Sequence, residues 1–155
     1  MLKLDLDAID LRILRAVQSD GRLSNADLAD QVGLSPTACL RRWRRLEKDG
    51  FIRRYVAVLD QAKVGVPVSV FAQVKVGSHD RSLLDHFEKV VRTWPEVLEC
   101  YLMTGPRDYL LRVVVEDVAA YERFIKEKLT GVAGVTTIES SFALQQVKYV
   151  HALPI

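Results

Sequence analysis

The sequence predicts an α+β protein, with an N-terminal winged helix-turn-helix domain followed by a βαββαβ ferredoxin-like domain. Three helical patterns fill the first fifty residues, and strand and helix patterns then follow in the order β-α-β-β-α-β. Charge is also segregated, since residues 41–54 hold seven of the 22 Lys and Arg residues and only two acids. We therefore divide the chain into a helix-turn-helix domain at 1–60, a linker at 61–67 and a second domain at 68–155.

Helical spacing and end signals predict the first two helices. The apolar face of the first helix repeats at i, i+3, i+7 and i+11 in Leu6, Ile9, Ile13 and Val17. We expect this helix to begin near Asp5 or Asp7 and to end at Gly21. The second helix follows the S-x-x-D start signal at Ser24. It ends at Gly33, because glycine readily takes the left-handed conformation that closes a helix.

The third predicted helix is strongly cationic on one side. Ser35 is its N-cap, and Pro36 occupies the first helical position, where a missing N–H costs nothing. Its apolar side consists of Cys39, Leu40, Trp43 and Leu46. Its basic side consists of Arg41, Arg42, Arg44, Arg45 and Lys48. Gly50 ends the helix, and residues 51–59 then have the composition of a strand or hairpin, which would form the wing.

Two helices joined by a tight glycine-containing turn, the second of them cationic, favour DNA binding. Such proteins read base edges with the start of the second helix, whereas phosphates attract basic side chains further along. The predicted contacts are the cap Ser35; Thr37, Ala38, Arg41 and Arg42 near base edges; and Arg45, Lys48, Arg53 and Arg54 near phosphates. The alternative is that the arginines only solvate a surface helix.

The second domain is predicted to be a four-stranded sheet with two helices. The predicted strands are 68–76, 97–104, 109–115 and 136–150, with a hairpin turn at 105–108. The helical stripes are Leu83, Leu84, Phe87, Val90 and Val91, and, after the cap Asp117, Tyr121, Phe124, Ile125 and Leu129. Two helices on one face leave the other sheet face uncovered. Because we place Phe142, Leu144 and Val147 there, we expect that face to pack on a second copy of the chain.

The hairpin turn is the best candidate for a ligand site. Gly105 allows a close approach of the backbone, and Asp108 could accept an ammonium group. Ser140 and Ser141 on the last strand could donate hydrogen bonds to a carboxylate. The apolar walls would be Leu102, Val118 and Phe142. These groups suit a zwitterionic amino acid, although Gly-Pro-Arg-Asp is also ordinary turn chemistry, so both interpretations stand.

Other functional classes lack sequence support. The chain has no common hydrolase, zinc or nucleotide motif, and Cys39 and Cys100 fit neither a metal site nor a CxxC redox pattern. No apolar run approaches the roughly 20 residues needed to cross a bilayer. We therefore expect no enzyme activity, no cofactor, no metal and no membrane partner, and we expect a cytoplasmic, nucleoid-associated protein.

Over nearly its full length, the chain resembles the Lrp/AsnC family of leucine-responsive, or feast/famine, regulators. Four segments carry the resemblance. They are LDLDAIDLRIL, DGRLSNADLADQVGLSPTACLRRWRRLEKDGFI, ECYLMTGPRDYLLRVVVED and SSFALQQVKY. The resemblance implies dimers that often assemble into octamers or related rings and wrap DNA, with an amino acid bound between dimers. By position, Gly105 and Asp108 match the family's effector loop. The expected pocket or response positions are Leu102, Val118, Ser141 and Phe142.

The chain departs from the family pattern in two places. Pro106 and Arg107 replace the acid and the aromatic residue that the family loop usually has. In the third helix, Ala38 stands where proline is common, and Trp43 stands where a smaller aliphatic residue is usual. The first departure bears on the identity of the effector, and the second on how the helix sits against its core.

Together, these features predict a sequence-specific DNA-binding transcriptional regulator whose assembly or DNA affinity responds to an amino acid or related metabolite. Its predicted partners are double-stranded DNA, other copies of itself in a homodimer or octamer, and the small-molecule effector. The first alternative is an architectural protein that compacts DNA with low specificity and no ligand response. The second alternative is a small-molecule enzyme built on the ferredoxin-like half.

Overall fold

The computed structural model of the chain describes residues 6–77 and 81–155. Its contacts divide the chain into two compact units. The first unit contains the residues up to Val58 together with Lys148–Ile155, and the second contains Leu59–Val147. The sequence-based boundary puts 148–155 in the second domain, whereas in the structure Gln18 Nε2 donates to the carbonyl of Leu153 at 3.0 Å. The last residues therefore pack with the helices of the first unit.

Three helices form the first unit: α1 (Ala8–Ser19), α2 (Asn25–Val32) and α3 (Pro36–Lys48). Each follows a polar side chain that accepts backbone N–H groups, namely Asp7, Ser24 and Ser35. The predicted start at Asp7 is confirmed, and the alternative at Asp5 lies outside the described residues. Gly33 closes α2 with a φ of 71°, as predicted. The buried core of the unit consists of Ile13, Leu14, Val17, Leu28, Ala29, Val32, Cys39 and Leu46.

The segment after α3 differs from the predicted wing. Residues 51–60 are assigned to no strand and no helix. The backbone amides of Phe51 and Ile52 donate to the carbonyl of Leu46 at 3.0 and 3.4 Å, so they close the C-terminal end of α3. A β-strand requires a backbone ladder with a neighbouring strand, and the described part of this unit offers none. The strand predicted at 51–59 is therefore not formed in the single chain.

The second unit is a four-stranded antiparallel sheet with helices on one side. Its strands are β1 (Val68–Val76), β2 (Val97–Leu102), β3 (Tyr109–Val115) and β4 (Val135–Phe142). Its helices are α4 (Arg81–Val91) and α5 (Val118–Phe124), the latter continued by a π-helical turn at Ile125–Leu129. The strand order is β2-β3-β1-β4. The predicted α+β fold class and the βαββαβ order of elements are thus confirmed.

Alternation along β1 separates the two faces of the sheet. Its buried residues Val70, Ala72, Val74 and Val76 share one core cluster with Phe87 of α4 and Phe124 of α5. Phe71, Gln73 and Lys75 point the other way and are exposed. The helices therefore cover one face of the sheet, and the second face carries the intervening side chains.

The last strand differs from the prediction in both length and orientation. β4 ends at Phe142 rather than continuing to residue 150, so Leu144 and Val147 lie beyond it. Phe142 pairs with Val70 and therefore lies on the helix-covered side, with its ring 5.4 Å from that of Tyr121. The uncovered face instead carries Phe71, Tyr101 and Leu110 among polar residues. The placement of Phe142 was wrong because apolar composition does not set strand register, and a shift of one residue moves every side chain to the opposite face.

The helix predicted after Asp117 is confirmed. The Asp117 carboxylate accepts the amide N–H of Ala120 at 2.6 Å and so caps the helix. The helical path continues through the π-helical turn to Leu129, two residues before the predicted end at Gly131. Over residues 6–77 and 81–155, every helix is too short or too polar to span a bilayer.

Candidate nucleic-acid interface and effector site

Helix α3 carries a row of exposed side chains that points away from its core. Thr37, Arg41, Arg44 and Lys48 follow one another at spacings of four, three and four residues, so at about 3.6 residues per turn they share one side of the helix. The buried residues Cys39 and Leu46 lie on the opposite side. We call Thr37, Arg41, Arg44 and Lys48 the outward stripe.

The cations of the outward stripe are free to meet a charged partner. Within residues 6–77 and 81–155, none of Arg41, Arg44 and Lys48 forms an ion pair with a carboxylate. Their charges are therefore available to phosphates, which they attract over roughly 10 Å at moderate salt. An α-helix of this kind also fits the width of the DNA major groove.

A second basic row, Arg42 and Arg45, points toward α1 instead. Arg42 Nη1 lies 2.9 Å from Asp10 Oδ1 and 2.6 Å from Asp7 Oδ2. Arg45 Nη2 pairs with Asp10 Oδ2. The side chain of Asp10 is only 1% exposed, and its Oδ2 also accepts the backbone N–H of Asp7 at 3.2 Å. We call Asp7, Asp10, Arg42 and Arg45 the Asp10 clamp.

The charges of the Asp10 clamp stabilise one another. The backbone N–H of Asp10, and then the guanidinium of Arg42, lower the pKa of Asp7. Hydrogen bonds to Asp7 and Asp10 raise the pKa of Arg42. Two carboxylates face two guanidiniums, so the clamp has no net charge. It therefore attracts phosphate far less than the outward stripe does.

Two of the predicted DNA contacts, Arg42 and Arg45, are bound to α1 in the structure. The sequence predicts Arg42 near base edges and Arg45 near phosphates, whereas both are held against α1. Arg44 was left out of the predicted set, yet it lies in the outward stripe. Sequence reasoning also missed Asp10. The sequence feature that indicates its role is its position. Asp10 lies three residues before the buried Ile13, on the apolar face of α1, and a carboxylate buried there is costly unless it is paired.

Helix α3 starts where the sequence predicts. Two of the predicted contact residues at this start also stabilise the helix or its packing. The Ser35 hydroxyl accepts the amide N–H of Ala38 at 3.4 Å, so Ser35 is the N-cap. Ala38 is half-buried, whereas Thr37 is exposed. Of these three side chains, Thr37 is therefore the freest to reach a base edge.

The irregular segment after α3 is held to the helix by aromatic side chains. Trp43 Nε1 donates to Tyr55 Oη at 2.5 Å, and Tyr55 Oη donates to Glu47 Oε1 at 2.9 Å. Arg53 and Arg54 precede Tyr55 and are both exposed. Two further cations thus lie in a segment that is attached to α3.

The predicted effector residues of the hairpin lie at the base of its turn. Asp108 Oδ2 accepts the amide N–H of Val76 at 2.7 Å, and the amide of Asp108 donates to the Val74 carbonyl at 2.9 Å. Gly105 has a φ of 122°, which favours glycine. Leu102, at the end of β2, is exposed. Asp108 therefore joins the β2–β3 turn to β1, whatever else it binds.

The remaining predicted effector residues lie elsewhere on the sheet. The Ser140 hydroxyl lies 2.6 Å from the Tyr121 hydroxyl, and Phe142 packs on the same ring. Val118 begins α5, on that side of the sheet. Ser141 pairs with Phe71 and faces the opposite side. Asp108 contacts Val76, whereas Ser140 and Phe142 lie opposite Ala72 and Val70, so four to six residues, or about 13–20 Å, separate the two groups along β1.

One cavity brings a predicted residue together with charged side chains that sequence reasoning missed. It has a volume of about 390 Å³ and is lined by Leu102, Cys100, Glu88 and Arg92, among others. Arg92 Nη2 lies 3.6 Å from Glu88 Oε2, so both signs of charge occur at its edge. Within residues 6–77 and 81–155, no group of three or more His, Cys, Asp or Glu residues could hold a metal ion.

Comparison with known families assigns both halves of the chain. Residues 6–53 match a family model described as winged helix-turn-helix DNA-binding, and residues 69–153 match the Lrp/AsnC ligand binding domain. The chain belongs to the Lrp/AsnC family. This Lrp/AsnC protein therefore combines a DNA-binding domain with a small-molecule domain, as the earlier resemblance implied.

Individual relatives of this Lrp/AsnC protein are regulators of transcription. It is 47% identical to the Bkd operon transcriptional regulator of Pseudomonas aeruginosa, over 97% of this chain and 99% of that protein. An AsnC family transcriptional regulator from Agrobacterium tumefaciens has 47% identity and a TM-score of 0.92, over 96% of this chain and 97% of its own. A transcriptional regulator from Neisseria meningitidis, solved in complex with L-Met, has 38% identity and a TM-score of 0.92, over 96% of each chain. The protein is thus a DNA-binding transcriptional regulator, which the relatives favour over a purely architectural protein.

Proposed function

We propose that this protein binds double-stranded DNA as a homodimer, with α3 of each protomer in the major groove, and that an amino acid bound to the second domain changes its assembly or DNA affinity. The observation that carries the proposal is the outward stripe on α3. It places three cations on the side of the helix opposite the core, and none of them is neutralised by an acid of the described chain.

The outward stripe suggests how the DNA contact is divided. Thr37 and Arg41, near the start of α3, reach base edges, together with the cap region at Ser35 and Ala38. Arg44 and Lys48 lie further along the helix and meet phosphates. Arg53 and Arg54 extend this phosphate contact, because Tyr55 attaches their segment to α3. Arg42 and Arg45 serve mainly to hold α3 against α1.

Homodimerisation is supported by the uncovered face of the sheet. The exposed aromatic residues Phe71 and Tyr101 share this face with Leu110, and a second copy would remove them from water. Two protomers would also present two copies of α3 to two half-sites on DNA. Larger assemblies such as octamers would form from these dimers at the cytoplasmic nucleoid.

The effector is proposed to be an amino acid or a related metabolite. The Lrp/AsnC ligand binding domain and the relative solved with L-Met support this class of ligand. The hairpin residues Leu102, Gly105 and Asp108 lie about 13–20 Å from the group around Tyr121. That separation favours a site that the hairpin of one protomer completes with Val118, Ser140, Ser141 or Phe142 of another.

The proposed division of labour follows the domains. Residues 1–60 bind DNA, 61–67 form the linker, and 68–155 bind the effector and other protomers, while 148–155 also pack on the DNA-binding unit. We assign no catalytic activity to either domain, because the family consists of transcriptional regulators.

DNA binding can be tested with a duplex that the protein itself selects from a random library. Fluorescence anisotropy should show binding to this duplex at least about 10³-fold tighter than to a scrambled duplex. With four phosphate contacts per protomer, log K should fall with log salt at a slope of about −7 for the dimer. Equal affinity for both duplexes would favour the architectural alternative. Failure to bind either duplex at low salt would refute the DNA interface.

Effector binding can be tested by thermal unfolding with L-Met and each of the other common amino acids. A ligand at 100 times its dissociation constant stabilises the folded protein by about 2.7 kcal/mol, which gives a clear shift in the midpoint. Sedimentation with and without the active amino acid would then report any change in assembly. A complete screen without a thermal shift would refute an amino acid effector.

A further inference from the structure

We propose that Asp10 is a positioning residue for DNA recognition. It neutralises Arg42 and Arg45 and fixes the rotation of α3, so that of the two basic rows of this helix the outward stripe is the one that faces the groove. This inference rests on the proposed DNA interface and gives a role in recognition to a buried residue of α1.

The first step is the burial of a charge. Within residues 6–77 and 81–155, Asp10 is the one charged residue that is buried. Only 1% of its side chain is exposed. A carboxylate in such a place is costly unless it is fully paired. Arg42 occupies Oδ1, while Arg45 and the amide of Asp7 occupy Oδ2. The pairing is therefore complete, and two of its three donors come from α3.

The second step concerns direction. Arg41 and Arg44 form one row of α3, and Arg42 and Arg45 form another, shifted by one residue or about 100° around the helix axis. Phosphates attract guanidiniums of either row alike. Because Asp10 binds both members of the second row, a rotation of α3 that turned this row outward would leave a buried carboxylate unpaired. The clamp therefore selects the row that faces DNA.

The third step concerns the electric field. Asp7 and Asp10 cancel the charges of Arg42 and Arg45, at N–O distances of 2.6 Å and 2.9 Å for Arg42. The uncompensated charge of α3 is thus concentrated on Arg41, Arg44 and Lys48. A protein that contacts phosphates through one row gains less sequence-independent affinity than one that uses two, so the clamp favours selectivity.

A DNA-free experiment tests the clamp by itself. Side-chain NMR of the full-length protein should show slow guanidinium rotation for Arg42 and Arg45, and fast rotation for Arg41 and Arg44. Asp10→Asn should release the first pair. Asp30→Asn is the matched control, because Asp30 is an exposed residue of α2 and its replacement changes the net charge equally. Fast rotation of all four arginines in the wild-type protein would overturn the proposal, whether or not the DNA interface is correct.

A second experiment measures recognition with the same two variants on the selected and scrambled duplexes. Asp10→Asn frees up to two guanidiniums per protomer, so the salt slope of the dimer should steepen by about 2–4 units. Discrimination between the two duplexes should fall about tenfold. Asp30→Asn should leave both values as in the wild type. If folded Asp10→Asn keeps the wild-type slope and discrimination, Asp10 is only a structural residue and the proposal fails.

A second pair of variants covers the case in which Asp10→Asn does not fold. Arg42→Gln and Arg44→Gln are the same chemical change, two positions apart on α3. Arg44→Gln should make the salt slope of the dimer shallower by about 2 units, whereas Arg42→Gln should leave it unchanged. Equal changes in slope would overturn the clamp. Absence of DNA binding by the wild-type protein would refute the DNA interface instead. The NMR experiment would still show whether Asp10 holds Arg42 and Arg45.

Discussion

Replacing Asp10 with alanine should destabilise the folded protein by about 2–3 kcal/mol. The substitution removes a carboxylate that pairs with Arg42 and Arg45 and accepts the amide of Asp7. Breaking a fully buried ion pair costs about 3–5 kcal/mol, since the remaining charge is left unpaired. Here the side chains of Arg42 and Arg45 are 25% and 44% exposed, so water can partly replace the lost partner. The expected cost therefore lies below that range.

Urea unfolding followed by circular dichroism would measure this loss. Domains of this kind are stable by about 5–15 kcal/mol, so the variant should remain folded without denaturant. Asp30→Ala is the control and should stay within about 0.5 kcal/mol of the wild type, because Asp30 is exposed. In a double-mutant cycle, Asp10→Ala and Arg42→Ala should show a coupling energy of at least about 1 kcal/mol. A loss below about 1 kcal/mol together with a coupling near zero would refute the clamp as a stabilising contact.

Four further predictions test the core, the dimer interface, the acid response and the effector site. Phe87→Ala should cost about 3–5 kcal/mol in urea unfolding because this side chain is fully buried. Phe71→Glu, on the uncovered face, should leave the circular dichroism spectrum unchanged and convert the dimer to monomer in sedimentation; a variant that still dimerises would argue against that interface. The pKa of Asp7 is lowered in the folded state, so its stabilisation is complete above the unfolded pKa of about 3.9 and is lost as pH falls through the folded value. Stability measured from pH 5 to pH 2 should therefore fall more steeply in the wild type than in Asp7→Asn, and parallel curves would contradict this reasoning. Asp108→Asn should keep the acceptor for the Val76 amide and the DNA affinity of the dimer, but should abolish any amino-acid-induced change in assembly; a variant that responds normally would make Asp108 only a turn residue.

Much of the DNA-binding unit could be predicted from local sequence. Asp7, Ser24, Ser35 and Gly33 mark helix ends through contacts within a few residues, so the pattern alone locates them. The apolar spacing of Ile13 and Val17 similarly identified the buried side of α1. The roles of the arginines were not predictable in this way. Arg42 and Arg44 have the same side chain two positions apart, and the ion pair that gives Arg42 its structural role is with Asp10, 32 residues away along the chain.

The effector domain shows the same division between local and long-range information. The order of its strands and helices follows from alternating and helical patterns, and the structure confirms it. The end of β4 and the side on which Phe142 lies do not follow from these patterns, since strand register depends on the pairing with β1. For the same reason, the sequence suggested one cluster of effector residues, whereas the sheet separates Asp108 from Ser140 by about 13 Å.

By itself, therefore, the sequence determined the two-domain fold, the capped starts of the helices and the presence of a cationic helix in this Lrp/AsnC protein, because these depend mainly on contacts between residues close in the chain. Only the tertiary structure decided which arginines of α3 pair with a buried carboxylate and which residues of the last strand face the helices. Those choices depend on where a buried carboxylate and a neighbouring strand lie in space, and no spacing within a single element encodes that position.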